Sequence, residues 1–386
     1  MRILAVDISG KVDKYDRALY ESVKASLQAE DQLVFACPTY SIQTQLPPLS
    51  LCNLIPKKHK HSKHLWKRML KVVEGIINYG KVARYIRREQ IDVMHLQWLP
   101  FMEICSLEKH WLKWVRRKNP RLKILLTVHN IYPHNCSAAG KEKYRQRIVA
   151  ILPLIDCIIT HTQDTARSIS KVFGIPAAHV AVVHHGIFTP PKPVPAESPK
   201  HSGTRLLLFG QQSHYKGTDL LIHASELLPE EVRRHLHIRI VGYTDSKLYN
   251  TYWQRAADQH IEWRNQYLSD QELYQEIQAS DILIFPYREI SQSGALLLGL
   301  YFEKPVIASC LPTFIETLGD TYPKQLLFQN GDAQDLADTI TWCVGHSKET
   351  KDLPAILHHI VEQNSWESAA RKTIQLYHTF KTNHAE

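Results

Sequence analysis

The stretch LLLFGQQSHYKGTDLLIHA, Leu206–Ala224, decides how this sequence is read. An apolar run ends at Gly210, a polar loop follows, and Lys216-Gly217 opens a second apolar stretch. Such a strand, turn and helix is the unit from which parallel sheets are built. A lysine at this turn can meet a phosphate oxygen, and the glycine beside it lets backbone approach closely. A surface lysine beside a turn glycine accounts for the same residues equally well, and this stretch alone does not decide between the two.

The same order recurs in Asp281–Ser309, DILIFPYREISQSGALLLGLYFEKPVIAS. An apolar strand ends at Pro286, a polar loop runs to Gly294, and an apolar helix leads to a strand from Pro305. Residues Gln292–Gly294 fall where the first amides of a helix lack intrahelical partners and bind anions. Ser293 as a plain N-cap is the other reading, and the two are compatible. Further C-terminal strands are expected at Arg205–Phe209, His237–Gly242, Glu262–Leu268 and Leu326–Phe328. N-terminal strands are expected at Ile3–Ile8, Gln32–Cys37, Val93–Leu96, Lys123–His129, Cys157–His161 and Val180–His184. Helical patterns such as Leu65–Arg88 and Lys141–Pro153 separate them.

Between the two series lies Thr189–Gly203, TPPKPVPAESPKHSG, a proline-rich segment without apolar periodicity. It reads as a linker. The expectation is therefore an α/β chain of two doubly wound domains, residues 1–188 and 204–364, joined by 189–203. Ligands of such sheets bind beyond the carboxyl ends of the strands, so a facing pair is expected to form an interdomain cleft.

Length and composition agree with this division. A chain of 386 residues, 44% hydrophobic and 22% charged, suits two globular domains. The N-terminal apolar run meets Asp7 too early for a signal peptide, and no stretch has the length of a membrane span. Seven scattered cysteines without a CxxC pair read as reduced thiols in a cytoplasmic protein, not as a disulfide framework or zinc site. The net charge of +9 is concentrated around Lys57, Lys58, Lys60, Lys63, Lys67, Arg68 and Lys71, then Arg84, Arg87 and Arg88. No nucleic-acid module accompanies it, which leaves a phosphate-bearing substrate or an anionic membrane surface. Leu65, Trp66, Met69, Leu70, Val73, Ile76 and Ile77 recur at helical steps within that region. The stripe is expected to pack on the sheet, and the basic cluster to meet the inner face of the cell membrane.

Taken together, the two motif stretches resemble glycosyltransferase family 4, also called group 1. Its C-terminal domain reads G-R-x4-K-G after the first strand, then carries two glutamates eight apart, then P-V-[VI]-A. Gly210, Lys216 and Gly217 match, as do Pro305 to Ala308. Ser365-Trp366-Glu367, with Ala370 and Tyr377, resembles the family's final helix (here 365–386), which crosses back onto the first domain. The departures are Gln211 in place of the arginine, and Ile290 and Leu298 in place of the glutamates. A subset with YKG and SQSG motifs resembles the sequence at these points.

The resemblance implies the GT-B fold, two Rossmann-like domains facing a cleft, and sugar transfer from a nucleotide diphosphate-sugar to a glycan or lipid-linked saccharide. Lys216, Gly217, Gln292, Ser293 and Gly294 would hold the donor diphosphate, with no metal and no cofactor. Gln211, Tyr267 and Glu289 are candidates for the donor sugar or base, although Tyr267 reads equally as a core aromatic and Glu289 as a loop glutamate. His129 ends a strong strand where the family places a catalytic histidine. Gly10 and His134 are acceptor-side candidates, and Gly10 also reads as a tight turn. His95, His161, His184 and His185 are read as structural. The family implies retention of configuration; inversion with His129 or Asp7 as base is the alternative. A nucleotide-sugar 2-epimerase and an inactive sugar-nucleotide-binding protein are the competing functions.

Overall fold

A computed structural model describes residues 1–38, 48–54, 65–133, 136–188, 203–346 and 353–382. The chain divides into two compact units, Met1–Gly186 with Trp366–Glu386, and Ile187–Ser365. The linker expected at 189–203 lies outside the described residues except for Gly203.

The first unit is a seven-stranded parallel sheet in the order β3-β2-β1-β4-β5-β6-β7. Its strands are β1 (Arg2–Asp7), β2 (Gln32–Pro38), β3 (Pro48–Leu51), β4 (Val93–Trp98), β5 (Lys123–Thr127), β6 (Cys157–Thr160) and β7 (Val180–Val182). The inner strands β1, β4, β5 and β6 are apolar along nearly their whole length because helices cover both faces. Strand order reverses between β1 and β4, so the loops after β1, β4 and β5 gather at the switch point of the sheet.

The second unit repeats the plan in six parallel strands, ordered β10-β9-β8-β11-β12-β13. These are β8 (Thr204–Phe209), β9 (Leu236–Val241), β10 (Glu262–Arg264), β11 (Ile282–Phe285), β12 (Val306–Ser309) and β13 (Leu327–Phe328). Here the reversal falls between β8 and β11. The two stretches that opened the sequence reading therefore leave neighbouring strands at the point where a doubly wound sheet receives ligand.

The structure corrects the sequence reading in three places. The strand expected over Glu262–Leu268 ends at Arg264, so Tyr267 stands outside the sheet and is 72% exposed, not a core aromatic. Strand β3 had not been anticipated; it is a four-residue edge strand read by neither alternation nor length. The third correction concerns the helix Leu65–Glu89, where the stripe residues Met69, Val73, Ile76 and Ile77 do not pack on the sheet.

In that helix Met69 is 65% and Ile76 54% exposed, and Val73 and Ile77 also face solvent. The face turned inward at this end is polar. Asn78 accepts from the Cys52 amide at 2.7 Å and donates to its carbonyl at 2.9 Å. Glu74 accepts from the Leu54 amide and pairs with Lys71. The edge beyond β3 presents unpaired backbone groups, and satisfying them selects amide and carboxylate side chains over apolar ones. Further along the helix the usual order returns, with Tyr79, Val82, Ala83 and Ile86 buried. Gly75 is required where this helix crosses Phe101, because a Cβ there would lie 2.3 Å from the ring.

The last helix, Trp366–Thr382, packs in the first unit against the helix Asp13–Ser26. Trp366 stacks edge-on against Tyr15 and lies over Gly186, where a Cβ would meet the indole at 2.3 Å. Tyr377 is buried and its hydroxyl hydrogen-bonds His95 Nδ1 at 2.7 Å. No described helix is long and apolar enough to cross a membrane.

Candidate active site

The loop after β8 is built by three glycines. Gly210 (φ +94°) and Gly242 (φ +132°) end neighbouring strands, and a Cβ on Gly242 would lie 2.1 Å from the Gly210 carbonyl oxygen. Gln212 holds this corner: its amide donates to the Gly210 carbonyl at 2.6 Å, and its own oxygen accepts from Thr218. A single turn, His214–Lys216, then leads into Gly217, which caps the helix Thr218–Leu227 at φ +70°. A Cβ on Gly217 would lie 1.8 Å from the Pro286 carbonyl oxygen. Only glycine meets both conditions, the left-handed backbone and the contact with the loop after β11. Gly217→Ala is expected to lower stability by about 3 kcal/mol or more, combining backbone strain with a backbone clash. The check is a denaturation midpoint; an unchanged value would show that the loop moves aside freely.

Lys216 is buried, and its ammonium lies 5.3 Å from the centre of the Tyr287 ring. A Cβ on Gly210 would approach Nζ to 3.0 Å. No hydrogen bond or ion pair from Nζ is found among the described residues. Burial pulls its pKa down, opposed only by Tyr215. A buried cation without a counter-ion is costly, and proteins keep one where an anion is to arrive. Tyr287, beneath it, is fully buried, and burial pushes its phenol up while Ser293 acts in the opposite direction.

Ser293 caps the helix Gly294–Tyr301, its hydroxyl accepting from the Leu296 amide at 3.2 Å. The Gly294 and Ala295 amides are left at the helix's free end, and Gly294 faces open space, with nothing within 4 Å of a Cβ position. Gln292 has a buried carbonyl oxygen without a hydrogen-bond partner. A substrate hydroxyl would satisfy it.

Sequence reasoning missed the brace that joins these loops. Arg288 grips Asp219 through both guanidinium nitrogens at 2.8 Å and also donates to the His214 carbonyl. Its amide donates to the Tyr215 carbonyl at 2.7 Å. Arg288 thus spends its charge on Asp219 and leaves Lys216 as the unpaired cation of these two loops. Gln211 and Glu289 are exposed. Tyr267 lies face to face with Tyr243, ring centres 4.6 Å apart and 5° from parallel, on the loops after β10 and β9.

In the first unit, the loop after β1 wraps around Asp7. Its carboxylate accepts from the amides of Ser9, Gly10 and Val12 and from the Ser9 hydroxyl, and Gly10 turns at φ +58°. Asp7 is fully buried and occupied in shaping the loop, which removes it as a base for an acceptor. Asp16 is buried beside it; burial and the Asp7 charge push its pKa well above the usual carboxylate range. Asp16 therefore holds its proton next to the Asp7 charge.

His129 follows β5 and meets a second histidine. Its Nδ1 is 3.1 Å from His161 Nε2, and its Nε2 is 3.2 Å from Gln97 Oε1. His161 Nδ1 lies 3.1 Å from the Val183 carbonyl oxygen. Both ends of this string are acceptors, so filling all of its hydrogen bonds takes one more proton than two neutral imidazoles carry. Burial, with His161 nearby, holds His129 well below its ordinary value; burial holds His161 at about 4. The neutral pair therefore keeps one ring nitrogen with an open lone pair. Tyr15 packs edge-on against His129 at 4.8 Å and touches His161 and His185. His161, read from the sequence as structural, is the direct partner of His129. His134 lies outside the described residues.

These are two parallel-sheet α/β units of the GT-B glycosyltransferase fold. Residues 18–189 match the Glycosyltransferase Family 4 model and residues 203–346 the Glycosyl transferases group 1 model; together they cover most of the chain, which belongs to the group 1 glycosyltransferase family. A GDP-mannose:glycolipid 4-beta-D-mannosyltransferase of Xanthomonas campestris pv. campestris is 26% identical over 227 residues, covering 56% of this chain. The match spans 61% of that relative's length. Anabaena HepE, solved with UDP and glucose, superposes with a TM-score of 0.68 at 14% identity, covering 98% of this chain and 100% of that one. Sucrose-phosphate synthase of Thermosynechococcus elongatus gives 0.70 at 16% identity, with 99% of each chain covered. At such identities the solved structures share the fold.

Proposed function

We propose that the chain transfers a hexose from a nucleoside diphosphate-hexose to a glycan or lipid-linked saccharide in the assembly of a surface glycoconjugate. The observation that carries this reading is the buried Lys216 ammonium, without an ion partner among the described residues, over the Tyr287 ring, whose phenol in turn meets Ser293, the cap of the Gly294–Tyr301 helix. When the sugar leaves, negative charge builds on the diphosphate, and fixed positive potential at that place lowers the barrier. Lys216 supplies a full charge, and the Gly294 and Ala295 amides supply the positive end of a helix dipole. Neither needs a metal. Gln292 offers its unpartnered oxygen to a hydroxyl of the donor.

GDP-mannose is the first donor to try, since the Xanthomonas relative is named for it. That relative forms a β-mannoside, and from an α-linked donor a β-product requires inversion. This favours inversion here over the retention implied by the family resemblance. An inverting displacement needs a base for the acceptor hydroxyl, and His129, held neutral by burial beside His161, is the group proposed for it. The test is incubation with GDP-mannose, UDP-glucose and UDP-galactose, with and without a lipid-diphosphate saccharide acceptor, reading released nucleotide and the anomeric signal of the product by NMR. Acceptor-dependent release with a β-linked product is expected. An epimerised donor would replace transfer by isomerisation, and an α-linked product would restore retention. If no nucleotide is turned over or raises the Tm, the reading fails.

A further inference from the structure

Among the described residues, the outward face of the helix Leu65–Glu89 has no partner, and its composition is unusual. Met69, Val73, Ile76 and Ile77 face solvent over its first turns, and Gly80 follows on the same side with nothing within 4 Å of its Cβ position. Beyond it the exposed positions are Arg84, Arg87 and Arg88. Of the two carboxylates along this helix, Glu74 is turned inward and paired with Lys71, and Glu89, half-exposed at the last position, is paired with Arg88. Leu54, also exposed, follows the edge strand β3, and its amide donates to Glu74.

A solvent-facing stripe of this kind costs solubility and is retained where something covers it. We infer that the face is a docking surface for an anionic lipid bilayer. Apolar side chains at the head of a helix, with arginines along the rest of that face, match the two attractions that hold an interfacial helix: burial among acyl chains and attraction to lipid phosphates. A protein partner with an apolar groove would gain nothing from a face whose charge is predominantly of one sign. The basic residues Lys57, Lys58, Lys60 and Lys63, expected from the sequence to meet the membrane, lie outside the described residues. The inward Glu74 and Asn78 are the structural counterpart: with the backbone beyond β3 satisfied by polar groups, the apolar side of the helix is left for another surface. The inference goes beyond the transfer reaction and does not depend on it.

The experiment is flotation of the full chain with vesicles of phosphatidylcholine alone or mixed with phosphatidylglycerol, at low and high salt. Wild type is compared with the double variant Val73→Gln, Ile76→Gln and the triple variant Arg84→Gln, Arg87→Gln, Arg88→Gln. All five positions are exposed, so the variants are expected to fold, and an unchanged Tm checks this. Wild type is expected to float with the anionic vesicles only. The double variant should bind at least tenfold more weakly at both salts; the triple variant should lose most of its binding at low salt and the salt dependence with it. Failure of wild type to float with anionic vesicles would overturn the inference, as would equal binding by the double variant. A wild-type dimer that the double variant converts to monomer with unchanged lipid binding would overturn it too, in favour of self-association.

Discussion

Lys216→Met is expected to lower kcat/KM by about a hundredfold or more and, at the same time, to raise the thermal midpoint of the protein. The two signs have one cause. The ammonium is buried over the Tyr287 ring without an ion partner, so the folded protein bears its desolvation and gains nothing back until an anion arrives. Methionine fills a similar volume without that cost. In the reaction the same charge faces the leaving diphosphate, and losing one such group typically costs ~100-fold or more in rate. A lysine kept for stability would behave in the opposite way, with a lower midpoint and near-normal turnover. Ligand linkage gives an independent readout: a nucleoside diphosphate at a hundred times its Kd adds roughly 2.7 kcal/mol to wild type, and the variant should lose most of that gain. An unchanged kcat/KM would remove Lys216 from the reaction.

The second large effect is on stability. Burial holds His95 and His185 at about 3 and His161 at about 4, while unfolded histidines titrate near 6.5. Between about pH 4 and 6.5 the unfolded chain therefore binds protons that the folded chain refuses. Stability from these groups is complete above pH 6.5 and is lost as the pH falls through that window. Each histidine contributes a slope of up to about 1.4 kcal/mol per pH unit, so the three together remove roughly 4 kcal/mol between pH 6 and 5. Asp16 and Glu108 act in the opposite sense, since burial raises their pKa values, that of Glu108 to about 7, and lets the folded state hold protons there. The histidines outnumber these carboxyls, so the net expectation is a moderate fall in the first denaturation transition between pH 7 and 5, which His161→Asn should make shallower by about one proton. A transition that does not move between pH 7 and 5 would show that these histidines take up protons in the folded protein.

How far the sequence could be read follows from the range of the interactions involved. The fold was legible because local signals agree: apolar strands, glycine at strand ends and helical spacing after the loops all point to two doubly wound sheets. Lys216, Gly217 and Ser293 were visible for the same reason, since each belongs to a strand-loop-helix unit written in consecutive residues. What escaped depends on contacts between distant segments. Arg288 and Asp219 are 69 positions apart, and neither residue type marks its partner. His161 lies 32 residues from His129 and meets it only because β5 and β6 are neighbours in the sheet. The helix Leu65–Glu89 shows another limit. Periodicity finds an apolar face but does not say which way it turns, and here the backbone beyond β3 claimed the polar face instead.

The final helix has a consequence for how the protein is made. Synthesis runs from the N-terminus, and the first unit's sheet strands are all translated by Val182. Yet Trp366 and Tyr377, which complete the packing around Tyr15 and His95, emerge only after the whole second unit. A nascent chain therefore carries an unfinished first unit while the second is being translated, with the histidine cluster uncovered on one side. The second unit has all of its strands by Phe328 and need not wait. The half of the molecule made first is the half finished last, and a message cut short before residue 366 yields a protein whose histidine cluster never closes.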